Sequence, residues 1–210
     1  MRHPITLRQI GFVTAVTAAL GVMPIDAGAW ILTGLGTNNP ARVFMMVGNG
    51  GAIWANSATV NTVSVTVPAA QVGSGSAQAM TSNSTQATSP YDGFTVCSPP
   101  TQVYVGAAYQ RRLTTQPANA QLQVNAPAKL TNATGDTIPI GEISWTVSAL
   151  GGDPNPTAIP AGTFAAGTQF LTNVAQGTMR ENCHTFSFAN TALRPEGTYT
   201  AQVTYTLSAP

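Results

Sequence analysis

A chain of 210 residues with 7% charged residues and a formal net charge of +1 lies far below the roughly 25% charge of ordinary soluble domains. It has no long-range field with which to steer a nucleic acid or an anionic membrane surface, and this excludes both as the basis of its function. Past residue 29, six basic residues (Arg42, Arg111, Arg112, Lys129, Arg180, Arg194) balance six acidic ones (Asp92, Asp136, Glu142, Asp153, Glu181, Glu196), so solubility rests on Thr, Ser, Asn and Gln and association is favoured.

Arg2, His3 and Arg8 make a basic start, Ile10 to Met23 is an uncharged apolar run, and Ala27-Gly28-Ala29 is a small-x-small site. This is the pattern of a secretory leader, and the run is too short for a membrane span. Residues 1–29 are therefore expected to be a signal peptide cleaved after Ala29, with an uncleaved N-terminal anchor as the alternative. Residues 30–210 are long enough for one domain that buries roughly 70% of its unfolded surface. In an exported chain the two cysteines, Cys97 and Cys183, are expected to form one disulfide, worth about 4–5 kcal/mol in the chain-entropy model for so long a loop.

Trp30-Ile31-Leu32-Thr33-Gly34-Leu35 reads as a short strand ended by Gly36 to Pro40. Arg42 to Val47 is a continuous apolar run that suits a strand buried on both faces. Gly48-Asn49-Gly50-Gly51 is a turn signal, after which Ala52 to Ala55 is expected to return as a hairpin. Val63, Val65 and Val67 alternate up to Pro68. Residues 69–92 are biased towards small polar types and read as a low-complexity loop. Asn83-Ser84-Thr85 and Asn132-Ala133-Thr134 match the glycosylation sequon, a pattern common by chance.

Strands are further expected at Phe94 to Cys97, Gln102 to Arg111, Leu122 to Ala126 and Ile143 to Ala149. Shorter pieces follow at Ile159 to Phe164 and Gln169 to Leu171. From Cys183 to Ala189, His184, Phe186 and Phe188 share one face. No stretch outside the leader has helical periodicity, and about nine short strands with Gly/Pro punctuation argue for an all-β sandwich.

The last fourteen residues organise the rest. Tyr199, Ala201, Val203, Tyr205 and Leu207 alternate with polar residues, mostly threonine, as in a half-buried antiparallel strand. Pro195-Glu196-Gly197-Thr198-Tyr199 looks like the corner before strand F of immunoglobulin-like sandwiches, where a Tyr hydroxyl bonds back to upstream backbone. Little chain is left for a strand G, so the sheet is expected to lack its last strand and to need a cover.

Chemistry is sparsely represented. His184 is the one histidine after the leader, and Asp92, Asp136 and Asp153 sit in turn-rich segments. A Ser–His–Asp relay, a zinc or calcium site, a carboxylate pair and a phosphate loop all lack their local patterns. The expectation is a non-enzyme with no cofactor and no metal.

This C-terminus resembles that of subunits of bacterial chaperone–usher fimbriae. Gly197 is fourteenth from the end and the alternation from Tyr199 to Ala209 continues the likeness, with Ala209 where those subunits carry an aromatic. The resemblance implies an immunoglobulin-like, pilin-like sandwich with an open groove beside Gly197, Tyr199, Ala201, Val203, Tyr205 and Leu207. A periplasmic chaperone would lend it a strand. A copy of the chain or a related subunit would then insert its N-terminal segment, with Trp30, Ile31, Leu32 and Leu35 as donor anchors. The expected function is a structural, polymerising surface subunit, exported through the periplasm. The alternatives are a monomeric secreted adhesin or binding module closed by its own N-terminal strand and, third, an exported hydrolase.

Overall fold

The computed structural model describes residues 20–30, 42–50, 60–148 and 159–209. In chain order the strands are β1 (Leu20–Trp30), β2 (Arg42–Val47), β3 (Val60–Asn61), β4 (Val63–Val67), β5 (Gln78–Ala79) and β6 (Thr81–Ser82). Next come β7 (Val103–Gln110), β8 (Asn119–Ala126), β9 (Lys129–Thr131), β10 (Thr137–Pro139) and β11 (Ile143–Val147). The last four are β12 (Gly162–Thr163), β13 (Gly167–Ala175), β14 (Thr178–Phe188) and β15 (Thr198–Ser208). Two single 3₁₀ turns, at Ala69–Gln71 and Ile140–Glu142, are the helical elements among the described residues. No described helix is long and apolar enough to cross a membrane.

The strands form two sheets of an all-β sandwich. One runs β10-β9-β15-β1-β4-β6, with β8 also on β15, β13 on β8, and β3 on β1. The other runs β12-β11-β14-β7-β2, with β5 on β14. Between them lies a core that includes Met45, Val63, Val105, Leu122, Val124, Trp145, Phe186, Tyr199, Val203 and Tyr205. Each such large side chain contributes roughly 1.5–3 kcal/mol by leaving water.

The outer face of the second sheet is covered too. Phe44 and Met46 of β2, Tyr104 of β7 and Met179 and Cys183 of β14 pack with Val96 and Cys97 in a second cluster. This is why β2 reads as an unbroken apolar run: Met45 and Val47 face the main core, Phe44 and Met46 the outer one. Cys97 and Cys183 are disulfide-bonded, with Cα atoms 5.4 Å apart, which fastens the segment before β7 across β14.

Several expectations are refined. Phe94 to Cys97 is not a strand: only Thr95 bridges, to Thr88, because Asp92 Oδ1 accepts the Phe94 N–H and turns the chain at Gly93. Residues 69–92 carry the short β5 and β6, bury Met80 and are pinned by Asn190, whose side chain binds Gly73 N and Gln71 O. The hairpin expected at 52–55 lies outside the described residues. β13 and β14 are longer than the alternation suggested, and the β9–β10 hairpin was not anticipated.

Gly48 and Gly197 are among the glycines demanded by close approach. Gly48 has φ +65°, and a Cβ there would lie 2.3 Å from the Asn61 side chain, which holds the turn by donating to Val47 O and accepting from Asn49 N. Gly197 sits against Asn132, whose Nδ2 would be 2.8 Å from an added Cβ. That amide donates to Asp136 Oδ2 and is buried, so the second sequon is structural.

Candidate functional site

β15 alternates as its sequence dictates. Tyr199, Ala201, Val203, Tyr205 and Leu207 are buried, and the intervening residues are exposed or half-buried. The corner before it is formed: Tyr199 Oη donates to Pro195 O at 2.9 Å. One edge of β15 is covered by β9 at Thr200 and by β8 from Thr204 to Ser208, both antiparallel.

The other edge defines the site. It is covered by β1, which runs parallel to β15 from the Gly21–Thr198 pair to the Trp30–Thr206 pair. It is the one parallel pair of strands among the described residues. On its far side β1 meets β4 (Leu20 with Val67, Val22 with Val65) and β3 (Ala27 with Asn61, Gly28 with Val60), antiparallel. β1 therefore fills a slot one strand wide in the middle of a sheet, its backbone bonded on both sides. Without it, β15 and β4 would stand about 10 Å apart, twice the ordinary strand spacing, with their facing N–H and C=O groups unpaired.

The occupant is an irregular strand. The register shifts between Val22 and Ile25, where Met23 and Pro24 stand against Thr200 alone. Proline has no N–H to give a ladder, and a bulge is where a sheet tolerates it.

A strand beside β15 is thus present, and it is formed by residues 20–30 of the same chain. Of the donor candidates, Trp30 ends β1 and Ile31, Leu32 and Leu35 lie outside the described residues. The signal was hidden because residues 20–29 read as leader.

The remaining polar groups are built into the fold. His184 is fully buried and stacks on Trp145 (ring centroids 6.0 Å apart, 5° between planes), with neither ring nitrogen hydrogen-bonded. Burial pushes its pKa down to about 3, so the ring is neutral. It is packed with Phe186 on the face that the strand alternation implied.

Glu142 is buried at the end of the 3₁₀ turn that precedes β11. It accepts from Thr191 N and Oγ1 and pairs with Arg194 Nη2 at 3.0 Å. Burial would raise its pKa, but the Thr191 hydrogen bonds and Arg194 together hold it below the usual value. Tyr104 Oη donates to buried Glu181, and burial with that neighbouring carboxylate raises the phenol's pKa. Hydrogen bonds from Asn132 and Thr134 keep Asp136 low. Asp92 caps a turn, and Asp153 lies outside the described residues. Among the described residues none of these groups forms a nucleophile–base–carboxylate relay, and no group of three or more His, Cys, Asp or Glu able to hold a metal occurs. A cleft of about 500 Å³ is lined by Ser82 to Thr85 with Pro99 and Pro100, neutral polar residues beside an apolar proline pair.

Comparison with protein-family models, curated proteins and solved structures gave no match.

Proposed function

We propose that this chain is a non-enzymatic, exported structural subunit that polymerises at the cell surface by accepting a strand from a neighbouring copy or related subunit. The observation that carries the reading is the slot between β15 and β4: the strand filling it comes from the segment that reads as a removable leader. Removing residues 1–29 would leave two facing rows of unpaired backbone groups above buried Val203, Tyr205, Val63 and Val67. An extended peptide fits such a slot with main-chain hydrogen bonds on both sides and alternate side chains in the core. The low charge, the disulfide and the resemblance of the C-terminus to fimbrial subunits agree with it. A periplasmic chaperone and an usher are the partners that this resemblance implies.

Light scattering on residues 30–210, disulfide intact, tests the reading beside a chain starting at Pro40. Polymers of the longer chain are expected, with a Pro40 monomer that takes up an added peptide of residues 30–39. A stable monomer of residues 30–210 that binds no peptide overturns it.

One observation favours a second reading. β1 belongs to the same chain, so a protein that retained it would be self-closed. It would then be a monomeric secreted adhesin or binding module, with the cleft beside Pro99 and Pro100 as its surface feature.

A further inference from the structure

We propose that residues 20–29 act as a placeholder strand, so that leader cleavage is the step that keeps the subunit open for assembly. This rests on the strand-accepting reading above and adds its regulation: the same segment serves first as leader and then, if uncut, as an internal blocker of the slot.

Three observations lead there. First, the cleavage sequence Ala27-Gly28-Ala29 lies inside β1. It is registered with Val203, Thr204 and Tyr205 of β15 on one side, and its first two residues with Asn61 and Val60 of β3 on the other. A protease binds its substrate as an extended strand whose own backbone groups are free to pair. A segment bonded on both edges can be presented that way only while it is out of the sheet, so cutting captures the open subunit and prevents it from closing again.

Second, the cut falls near one end of β1. Hydrolysis of the Ala29–Trp30 amide adds water across that bond, leaving a carboxylate on Ala29 and an amine on Trp30. It separates Leu20 to Ala29 from the chain, and with them every register pair to β4 and β3 and all but the last to β15.

Third, the segment is a poor strand. Gly21 and Gly28 lose the most conformational freedom on ordering, Pro24 lacks an N–H, and the ladder skips at Met23-Pro24. A donor with unbroken alternation would pair along the whole of β15. The placeholder therefore closes the sheet by being tethered, at high effective concentration, and loses that advantage once cut.

The test uses the full 210-residue chain, refolded oxidatively with no leader peptidase present, beside the leader-free chain made from it by cleavage. The probe is a fluorescent peptide of residues 30–39, the donor segment of the strand-accepting reading. The expected result is a monomeric full chain that binds the peptide at least 100-fold more weakly than the leader-free chain does. The full-length Ala27→Pro variant, with one ladder bond removed, should regain binding. If the leader-free chain does not fold alone, refolding it with the peptide should restore it. Equal binding by full and leader-free chains overturns the placeholder and leaves strand acceptance standing. Failure of the leader-free chain, kept monomeric by dilution, to bind the peptide or to be rescued by it overturns both.

Discussion

The two sheets of this sandwich are secured in different ways. In the second sheet β2, β7, β14, β11 and β12 pair antiparallel, a second apolar cluster covers the outer face, and a disulfide crosses it. Its strands, its outer cluster and its disulfide all come from residues 42–188. The first sheet depends at its centre on β1, an irregular strand from the far end of the chain. The difference teaches where stability and function separate. A sheet clasped by the body of the chain can carry the fold, and this leaves the other free to open locally at less than the global free energy.

Removing the clasp should have the largest effect. The double change Cys97→Ser and Cys183→Ser is expected to cost about 2–5 kcal/mol, because the bond closes 86 residues of sequence. Urea unfolding measures the loss. Amide exchange sharpens the comparison: β7 and β14 should exchange faster in step with the loss, while β1, already opening below the global limit, should be unchanged. If β1 is as protected as β14 in the parent protein, the two sheets are not secured differently and the comparison fails.

The next effect lies on the core face of the clasped sheet. His184 has a folded pKa near 3 against 6.5 unfolded. The unfolded chain therefore binds the extra proton between these values, and the folded state weakens as pH falls through that window. The slope is up to about 1.4 kcal/mol per pH unit. The contribution is fully present above pH 6.5. His184→Leu should abolish the slope between pH 6.5 and 4.5, read from urea midpoints at several pH values. A slope that survives would mean that the imidazole is not the group being held neutral.

Glu142 joins the two sheets, since it lies between β10 and β11 and takes Thr191 and Arg194 from the segment leading to β15. Glu142→Gln should cost about 1–3 kcal/mol at neutral pH through weakened charge-assisted bonds. The carboxyl is held below its unfolded value of 4.5. Its contribution is present above pH 4.5 and lost as pH falls through the folded pKa. It is thus separable from that of His184, which begins at higher pH. If Glu142→Gln leaves the acid limb of the stability profile unmoved, the ion pair is not the tie between the sheets.

The sequence made the regular strands of both sheets easier to read than the slot. β15, β8 and β11 show period two because one face meets the core and the other is more open. β14 was read only from Cys183 onward, since Glu181 and Asn182 are buried polar residues on opposite faces and hide its alternation. β9 and β10 are three residues each, too short for a period. The corner at Tyr199 was legible because a fixed spacing carries a single hydrogen bond. At the slot, the alternating edge of β15 announced that something must cover it. The occupant was not legible, because Gly, Ala and Pro at residues 20–29 carry the composition of a cleavage region rather than a strand, and only the pairing with β15, β3 and β4 reveals the second use.

The smallest effect tests which side of the comparison the corner belongs to. Tyr199 is fully buried and pairs in register with Val22 of β1, while its hydroxyl reaches Pro195 O within the chain body. Tyr199→Phe keeps the ring in the core and loses one hydrogen bond, whose acceptor belongs to an exposed residue and can turn to water. About 0.5–1.5 kcal/mol is expected. The corner fixes where β15 enters the sheet rather than what lies beside it. The loss should therefore be equal in the chain that retains residues 1–29 and in the chain cut after Ala29. Paired urea midpoints measure this. A loss confined to the leader-bearing chain would mean that the corner positions β15 for its parallel neighbour. The first sheet would then be organised around the slot from its entry onward.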